Sequence, residues 1–275
     1  MTRINGRNCS RPRPTTARRI PMIVVISPHF DDAAFSLAAT LKLFAVARCP
    51  VRIINCFTLT QFAPFLQTPG VVSVTGLRRE EEASFAAMLG GSASSVALDF
   101  VDAPGRTGLG VRGIFLRHCV PADTATAIQD LVADLDEPQA NVPVLAPLAV
   151  GGHIDHYISR QAAIAKYSGF PIAFYEDLPY AAANRANDIA DSVERSSHAL
   201  GRPLRPFIVS WMGSSAWKEQ CCSLYASQIS EDGIQKIVGY MERIKGERLW
   251  CSPEFIDSSA GAIVAGLQPV SHTLA

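Results

Sequence analysis

The feature that most constrains the fold is the alternation of short apolar runs with longer helical ones. The runs MIVVIS, VRIINCFT and VPVLAPL are rich in β-branched residues and have the length of buried strands. The segments between them are long enough for crossover helices, which parallel strands require. The pattern predicts an α/β fold: a Rossmann-like, mostly parallel sheet with helices on both faces, in three layers. We predict strands over 22–27, 51–58, 96–101, 142–148, 171–175, 205–210 and 248–257, and helices over 33–47, 77–90, 121–135, 155–168, 214–229 and 231–246.

Length and the two ends of the chain set the expected domain organisation. The 275 residues suit one large domain with a sizeable core. We expect that domain over residues 22–258 and a C-terminal tail over 259–275. Residues 1–21 hold six arginines and no acid, and they lack the apolar stretch of a signal peptide. We interpret them as a disordered basic tail or as sequence upstream of a natural start at Met22; a basic arm for a partner is the alternative.

Two segments interrupt the alternation. Residues 61–75 are rich in Pro, Gly, Gln and Thr, which predicts a long loop. Residues 181–204 are polar and basic, and we expect an irregular excursion from the sheet that serves as a lid or an oligomer contact. A homo-oligomer is therefore left open.

The charge balance argues against two classes of partner. Lysine and arginine together number 25, as do aspartate and glutamate. Such a balance gives no support to nucleic acid or an anionic membrane as a partner. No apolar run reaches the ~18 residues of a membrane helix. The seven cysteines are scattered without a Cys-x-x-Cys pair, so we expect reduced thiols in a cytoplasmic protein.

The stretch VVISPHFDDAAFSLA places an imidazole and two adjacent carboxylates directly after the first predicted strand. These groups belong to His29, Asp31 and Asp32. Two neighbouring acids repel one another, and burying both is costly unless a cation compensates them. In open α/β sheets, ligands bind beyond the carboxyl ends of the strands, where these residues are expected. The pattern therefore indicates a cation site.

A second polar cluster follows the strand predicted over 142–148. The sequence GGHIDHYISRQAA supplies His153, Asp155 and His156, which belong to the same edge of the predicted sheet. A catalytic zinc site uses three protein ligands and leaves one position for water, and two histidines with one carboxylate fit that number. Ferrous iron suits the same ligands. A remaining carboxylate could take a proton from the water, whose pKa such a metal lowers to about 7.

The two clusters resemble the two motifs of the LmbE-like, or PIG-L-type, N-acetylglucosaminyl deacetylase family. Those motifs are His-Pro-Asp-Asp after the first strand and His-x-Asp-His late in the sheet. The stretches RREEEASFAAMLG, DFVDAP, FYEDLPYA and KEQCCSLYASQI are similar to further segments of the family, the last two to one bacterial branch. The resemblance extends from about Met22 to Ile256. It implies an LmbE-like fold and a zinc-dependent amidohydrolase that deacetylates an N-acetylated sugar or glycoconjugate.

The resemblance also implies which motif residues bind the metal. His29, Asp32 and His156 match the metal ligands of the family. Asp31 matches the general base that activates the attacking water. These four residues therefore account for the metal site and for the first proton transfer.

Four further residues receive roles from the same resemblance. His153 would stabilise the oxyanion and protonate the leaving amine. Asp155 would orient His153 or support the metal ligands from outside. Arg78 and Asp102 match positions that face the sugar. From the sequence alone, Arg78 could instead belong to a solvated ion-pair face, and Asp102 could cap a loop.

The sequence departs from the family pattern at three places. Phe30 stands where proline is usual, which makes the turn less rigid. Ala33 stands where many members have glutamate, although a small or apolar residue is common in this branch. Gly151 and Gly152 precede His153 where some members place a tyrosine near the substrate, so any role of that tyrosine is vacant here or filled by another residue.

Two acidic residues, Glu176 and Asp177, end the strand predicted over 171–175 on the same edge of the sheet. They could contact substrate or brace the loops of the site, and we favour bracing. For the function, two alternatives to the deacetylase stay open. One is a related metal-dependent hydrolase of a non-sugar amide or an ester; the other is a metal- or carbohydrate-binding module without turnover.

Overall fold

A single mixed sheet organises the chain. The computed structural model describes residues 22–66, 71–110, 113–115, 122–137, 139–183 and 186–266. Their seven-stranded sheet has the order β3-β2-β1-β4-β5-β7-β6. The strands are β1 (Ile23–Ser27), β2 (Val51–Asn55), β3 (Ala93–Ala97), β4 (Val144–Pro147), β5 (Ile172–Tyr175), β6 (Arg205–Val209) and β7 (Glu247–Cys251). The first five run parallel, and β7 and β6 pair antiparallel at one end, which confirms the mostly parallel α/β sheet.

Helices cover both faces of the sheet and give the predicted three layers. On one side α1 packs with α8 and α11, and on the other α5 packs with α4. The helices are α1 (Asp32–Val46), α2 (Val71–Met88), α3 (Ala103–Thr107), α4 (Thr124–Asp134), α5 (Ile154–Tyr167), α6 (Tyr180–Ala183), α7 (Ala186–Leu200), α8 (Ser214–Ser223), α9 (Glu231–Ile244), α10 (Pro253–Ile256) and α11 (Ser259–Gly266).

The central strand β1 explains why its sequence is apolar throughout. All five of its residues are buried, because β2 and β4 flank it and helices cover both of its faces. From β1 the chain moves outward to β2 and β3, and then returns to β4 on the other side. The strand order therefore reverses between β1 and β4. Open α/β sheets bind ligands at such a switch point, beyond the carboxyl ends of the strands.

The irregular excursion expected over 181–204 was wrong. Most of that segment is helical, in the end of α6 and in α7. The buried face of α7 carries Ile189, Ser192, Ser196 and Leu200, at helical spacing. Val193 also packs against the core, so Ile189, Val193 and Leu200 form an apolar pattern at helical spacing within a segment that is polar as a whole. Residues 184 and 185 lie outside the described chain.

Two element boundaries differ from the prediction near the site. Helix α2 begins at Val71, within the segment predicted as a loop. Strand β3 covers Ala93–Ala97 instead of 96–101. As an edge strand it is only half-buried, so the sequence ASSVA needs no continuous apolar pattern. Beyond it, Leu59 and Val101 form one further parallel bridge.

The C-terminal part is more structured than a tail. Strand β7 stops at Cys251 because Ser252 caps α10, whose first residue is proline. Helix α11 then covers Ser259–Gly266 and packs on α1. The tail predicted over 1–21 and residues 267–275 lie outside the described chain, so the domain boundaries stay a prediction.

Two sequence expectations about the chain as a whole can be compared with the described residues. Cys49, Cys56, Cys221, Cys222 and Cys251 are all free and buried there, while Cys9 and Cys119 fall outside that part of the chain. Among the described helices, none combines the length and the apolarity that a membrane crossing needs.

Candidate active site

The switch point brings the two predicted polar clusters together. His29, Asp31 and Asp32 follow β1, and the segment 153–156 follows the neighbouring strand β4. The turn after β1 is fixed by Ser27, whose hydroxyl donates to the carbonyl oxygen of His29 at 2.6 Å. The prediction that both clusters share one edge of the sheet is therefore confirmed.

Three side chains converge in a geometry that suits a metal ion. Oδ2 of Asp32 lies 3.1 Å from Nδ1 of His29 and 3.4 Å from Nε2 of His156. Ligand atoms that each lie 2.0–2.1 Å from a tetrahedral zinc ion lie about 3.3 Å from one another. Nε2 of His156 is buried and has no hydrogen-bond partner among the described residues. The residues His29, Asp32 and His156 therefore fit a divalent metal ion.

Each histidine of this group is held from behind by a carboxylate. Nε2 of His29 lies 3.1 Å from Oδ2 of Asp155, and Nδ1 of His156 lies 2.6 Å from Oδ1 of Asp177. Metal-binding histidines commonly use their second nitrogen in this way, which fixes the tautomer and the direction of the ring. Both imidazoles therefore present their other nitrogen toward Asp32.

The electrostatics favour positive charge at the same point. Burial lowers the pKa of His29, but hydrogen bonds to Asp155 and Asp32 outweigh it and raise that pKa to about 10. Burial raises the pKa of Asp32, but the charge of His156 and the contacts with His29 outweigh it and lower the pKa to about 2. The carboxylates thus attract cations, whether protons on the imidazoles or a metal ion.

An alternative group of His29, His153 and Asp155 could also approach a cation. The carboxylate of Asp155, however, already accepts from Nη2 of Arg106 at 3.0 Å and from the backbone N–H of Ala103 at 2.8 Å. A guanidinium bound to the same carboxylate competes with a metal ion for its charge. The group around Asp32 is therefore the better metal site.

Asp31 is separated from the three converging ligands. One of its oxygens accepts from Nη2 of Arg78 at 2.9 Å. Arg78 comes from α2 and is only 3% exposed, which excludes the solvated ion-pair face considered for it. The adjacent acids thus take different partners: Asp32 faces the histidines, and Asp31 faces an arginine.

His153 lies beside the converging ligands and faces the cavity. Its ring is 5.1 Å from that of His29 and 5.0 Å from that of His156. Nδ1 accepts from the backbone N–H of Asp155 at 3.2 Å, so the proton of the neutral ring resides on Nε2. Burial holds the pKa of His153 well below its usual value. The carboxylate of Asp155 contacts His29 instead. Asp155 therefore contacts His153 through its backbone N–H and not through its carboxylate.

A cavity of about 270 Å³ opens beside these groups. Its polar lining includes Arg78 and Asp102, the two residues expected to face the sugar. Asp102 also caps α3 by accepting from the backbone N–H of Gly105 at 3.0 Å, which is the alternative considered for this residue; its contact with a sugar stays a prediction. Much of the remaining wall is apolar, formed by Phe35, Phe62, Pro104, Ile114, Phe115, Leu178, Pro179, Tyr180 and Ile229.

Several supporting residues were missed or only partly predicted. Asp177 braces the site, as favoured, by also accepting from the backbone N–H of Val150 at 2.9 Å. Glu176 turns the other way and accepts from Arg248 and from Trp250. Arg106 was missed, because a single arginine after an edge strand carries no sequence signal of its own.

The loop before His153 has a strained backbone. Gly151 and Gly152 both have positive φ, of 80° and 76°, which favours glycine over a residue with a side chain. Ala149 shares this left-handed conformation at φ 59°. An aromatic ring nonetheless lies near the histidines, because Tyr180 packs 5.2 Å from the ring of His156 and lines the cavity.

Solved structures share the fold. Teicoplanin deacetylase Orf2, in a zinc-inhibited form, superposes with a TM-score of 0.64 at 21% identity, over 84% of this chain and 97% of that one. The N,N'-diacetylchitobiose deacetylase of Pyrococcus horikoshii superposes with a TM-score of 0.52 at 17% identity, over 86% of each chain. At these identities the likeness shows the architecture.

The sequence comparisons go further than the architecture. This chain is 31% identical over 262 residues to a 2'-N-acetylparomamine deacetylase of Streptomyces fradiae, covering 91% of this chain and 87% of the relative. A model of the PIG-L family, described as GlcNAc-PI de-N-acetylase, matches residues 24–167, which include both polar clusters. These two matches establish that the chain belongs to the PIG-L family.

Proposed function

We propose that the protein is a metal-dependent N-deacetylase that hydrolyses the acetamide of an N-acetylated amino sugar or a sugar-containing metabolite. The observation that supports the proposal is that the two adjacent acids, Asp31 and Asp32, have different surroundings. Asp32 joins the two histidines of the metal site, whereas Asp31 lies apart from them and lines the cavity. Family membership and the 2'-N-acetylparomamine deacetylase relative point to the same chemistry.

The metal would be held by His29, Asp32 and His156, and we propose zinc, with ferrous iron as the alternative that suits the same ligands. When bound, such an ion lowers the pKa of a water molecule and polarises the amide carbonyl. Asp155 and Asp177 keep the two imidazoles in the tautomers that metal binding needs.

The remaining steps belong to side chains of the cavity. Asp31 takes a proton from the attacking water, and Arg78 holds its carboxylate in place. His153 donates a hydrogen bond from Nε2 to the carbonyl oxygen as negative charge develops there. The C–N bond then breaks, and the leaving nitrogen receives the proton that Asp31 took from the water, because the neutral ring of His153 keeps its one proton on Nε2 for the carbonyl oxygen. Acetate and a free amine result, and Asp31 is again ionised. Arg78 and Asp102 face the sugar hydroxyls from the cavity wall.

The experiment compares two adjacent substitutions in zinc-loaded protein. Release of primary amine is measured on a panel of N-acetylated amino sugars and glycoconjugates. Asp31→Asn should bind zinc but lose turnover by about 10²- to 10⁴-fold, the usual contribution of a general base. Asp32→Asn should lose zinc as well. Full turnover by Asp31→Asn would remove Asp31 from the chemistry, and silence of the wild type on the whole panel would favour another amide, an ester or a binding module.

A further inference from the structure

A buried ion pair lies behind the active site and takes no part in the proposed chemistry. Nζ of Lys218, on α8, is 2.5 Å from Oε1 of Glu247, on β7, and both side chains are buried. Lysine and glutamate are almost never fully buried unless they are paired. Because removing two charges from water is costly, a buried pair is weak evidence for stability. The other hydrogen bonds of this pair suggest a different role for it.

The ammonium group of Lys218 binds the backbone of the first turn of α1. Its Nζ donates to the carbonyl oxygens of Phe35 at 2.7 Å and of Ala34 at 3.3 Å. Asp32 is the first residue of that helix, and Asp31 directly precedes it. Lys218 therefore holds the turn of backbone from which both acids of the active site project.

The carboxylate of Glu247 binds the next turn of the same helix. Its two oxygens accept from the backbone N–H groups of Ala39 and Thr40, each at 2.8 Å. In a regular α-helix the N–H of Ala39 donates to the carbonyl oxygen of Phe35. Here that N–H donates to Glu247, and that carbonyl oxygen accepts from Lys218. The ion pair is thus inserted between two turns of α1, and the position of the first turn depends on it.

The first turn of α1 is also tied to the loop that supports His156. Oγ of Ser36 accepts from the backbone N–H of Leu178 at 3.1 Å. Leu178 directly follows Asp177, whose carboxylate contacts His156. A shift of this turn would therefore displace the two acids and also disturb the loop behind one of the metal-site histidines.

We propose that this ion pair positions the first turn of α1, so that Asp32 meets the two histidines of the metal site and Asp31 faces the cavity. Lys218 and Glu247 are thus positioning residues, which touch neither the metal nor the substrate. The inference rests on the proposed deacetylase function. A misplacement of about 1 Å caused by a distant substitution can cost about 100-fold in rate. The residues expected to face the sugar come from α2 and from the start of α3, so the pair should affect kcat much more than KM.

The test replaces both charges at once, because either charge alone would be left buried without its partner. Lys218→Met combined with Glu247→Met supplies apolar side chains of similar size. The N–H of Ala39 can then bond to the carbonyl of Phe35, as in a regular helix. Such replacements are often neutral or stabilising, so the double variant should keep a Tm close to that of the wild type.

Two measurements on the double variant distinguish positioning from stabilisation. Its zinc affinity, from competition with a chromophoric chelator, should fall by about tenfold or more, the usual effect of losing support behind a metal ligand. Amine release is measured on the N-acetylated sugar of the panel that the wild type deacetylates best. There kcat should fall by about 100-fold, with little change in KM.

The control removes both charges of a second pair that includes a residue of the same strand. Arg248, which follows Glu247 on β7, pairs with Glu176 at 2.6 Å. Arg248→Met combined with Glu176→Gln should leave zinc affinity and kcat unchanged. Equal losses in the two double variants would overturn the proposal. Unchanged zinc affinity and kcat in the variant at Lys218 and Glu247, with or without a lower Tm, would overturn it as well.

Glu247→Gln repeats the test at nearly the same volume if the double variant does not fold. Its amide has one oxygen, so its NH₂ group would face the N–H of Ala39 or of Thr40, and zinc affinity should again fall. An unchanged affinity would overturn the proposal. Failure of the deacetylase function itself is distinguishable, because the wild type would then bind no zinc or release no amine from the whole panel.

Discussion

Asp177 and His156 form a buried pair behind the metal site, with Oδ1 of Asp177 2.6 Å from Nδ1 of His156. Both side chains are fully buried. The second oxygen of Asp177 accepts from the backbone N–H of Val150 at 2.9 Å. The carboxylate therefore fixes the proton of His156 on Nδ1 and leaves Nε2 free to face Asp32. One side chain thereby couples the strained loop before α5 to the direction of a metal ligand.

Asp177→Asn should weaken metal binding by about 10- to 100-fold, the usual effect of removing such a partner. His156 and Val150 donate to different oxygens of Asp177, so the NH₂ group of an amide at this position would face one of these two donors. Competition with a chromophoric chelator measures the zinc affinity. Glu176→Gln is the control, since Glu176 binds Arg248 and Trp250 and contacts neither metal-site histidine. Equal affinities in all three proteins would contradict this role.

Arg106 should contribute more to the free energy of unfolding than its position on a short helix suggests. It donates to Asp155 at 3.0 Å, and Asp155 is fully buried against His29. Arg106→Met removes one charge-assisted hydrogen bond from this buried carboxylate, while His29 and the backbone N–H of Ala103 still contact it, so the free energy of unfolding should fall by about 2 kcal/mol. Denaturant titration of the metal-free protein provides the measurement.

The control for this prediction is a surface arginine. Arg79 pairs with Asp99 at 2.8 Å, and both side chains are about half exposed. Such pairs contribute about 0–1 kcal/mol, so Arg79→Met should have little effect on the same titration. Similar losses in the two variants would show that Asp155 does not depend on Arg106.

The core of the site could be predicted from the sequence because it depends on few geometric facts. His29 and Asp32 directly follow one apolar strand, and His156 follows another. Strands that are parallel and adjacent present these residues at one edge whatever the rest of the chain does. Each cluster spans only four residues, which leaves little freedom in how the side chains meet.

The partners behind the ligands depend on contacts that no local pattern encodes. Arg106 reaches Asp155 across 49 positions of the chain, from a five-residue helix. An isolated arginine of this kind is typical of a surface residue in the sequence, and only tertiary packing shows its partner. Helix α7 is a different case, because Ile189, Val193 and Leu200 do recur at helical spacing, and the prediction followed the polar composition of the segment instead of this periodicity.

Removal of the metal should lower the stability of the protein, and this loss should depend on the ligands His29, Asp32 and His156. A ligand that binds only the folded state at 100 times its Kd adds about 2.7 kcal/mol to the free energy of unfolding. Dialysis against a chelator should therefore lower Tm by several degrees, and added zinc should restore it. Asp32→Asn should show no such response to zinc. An equal zinc response in that variant would place the metal elsewhere.

Glu82 should give the stability of the protein a pH dependence unrelated to the metal site. It lies on α2 and is 2% exposed, and it accepts from the hydroxyls of Tyr225 at 2.6 Å and Ser95 at 2.7 Å. Burial raises its pKa from 4.5 to about 7, with these hydrogen bonds opposing the shift in part. The folded protein thus keeps a proton that the unfolded chain releases between pH 4.5 and 7.

The free energy of unfolding should therefore contain a contribution that is complete below pH 4.5, falls as the pH rises to 7, and is absent above it. Its size is roughly 3 kcal/mol, since one pKa unit corresponds to about 1.4 kcal/mol. Glu82→Gln cannot titrate, so the free energy of unfolding of the wild type minus that of the variant should fall by roughly 3 kcal/mol as the pH rises across this window. Denaturant titrations from pH 4.5 to 8 measure it, with Glu80→Gln at an exposed position of the same helix as the control. A constant difference between wild type and Glu82→Gln would mean that Glu82 is already ionised at pH 4.5, because Tyr225 and Ser95 then outweigh burial.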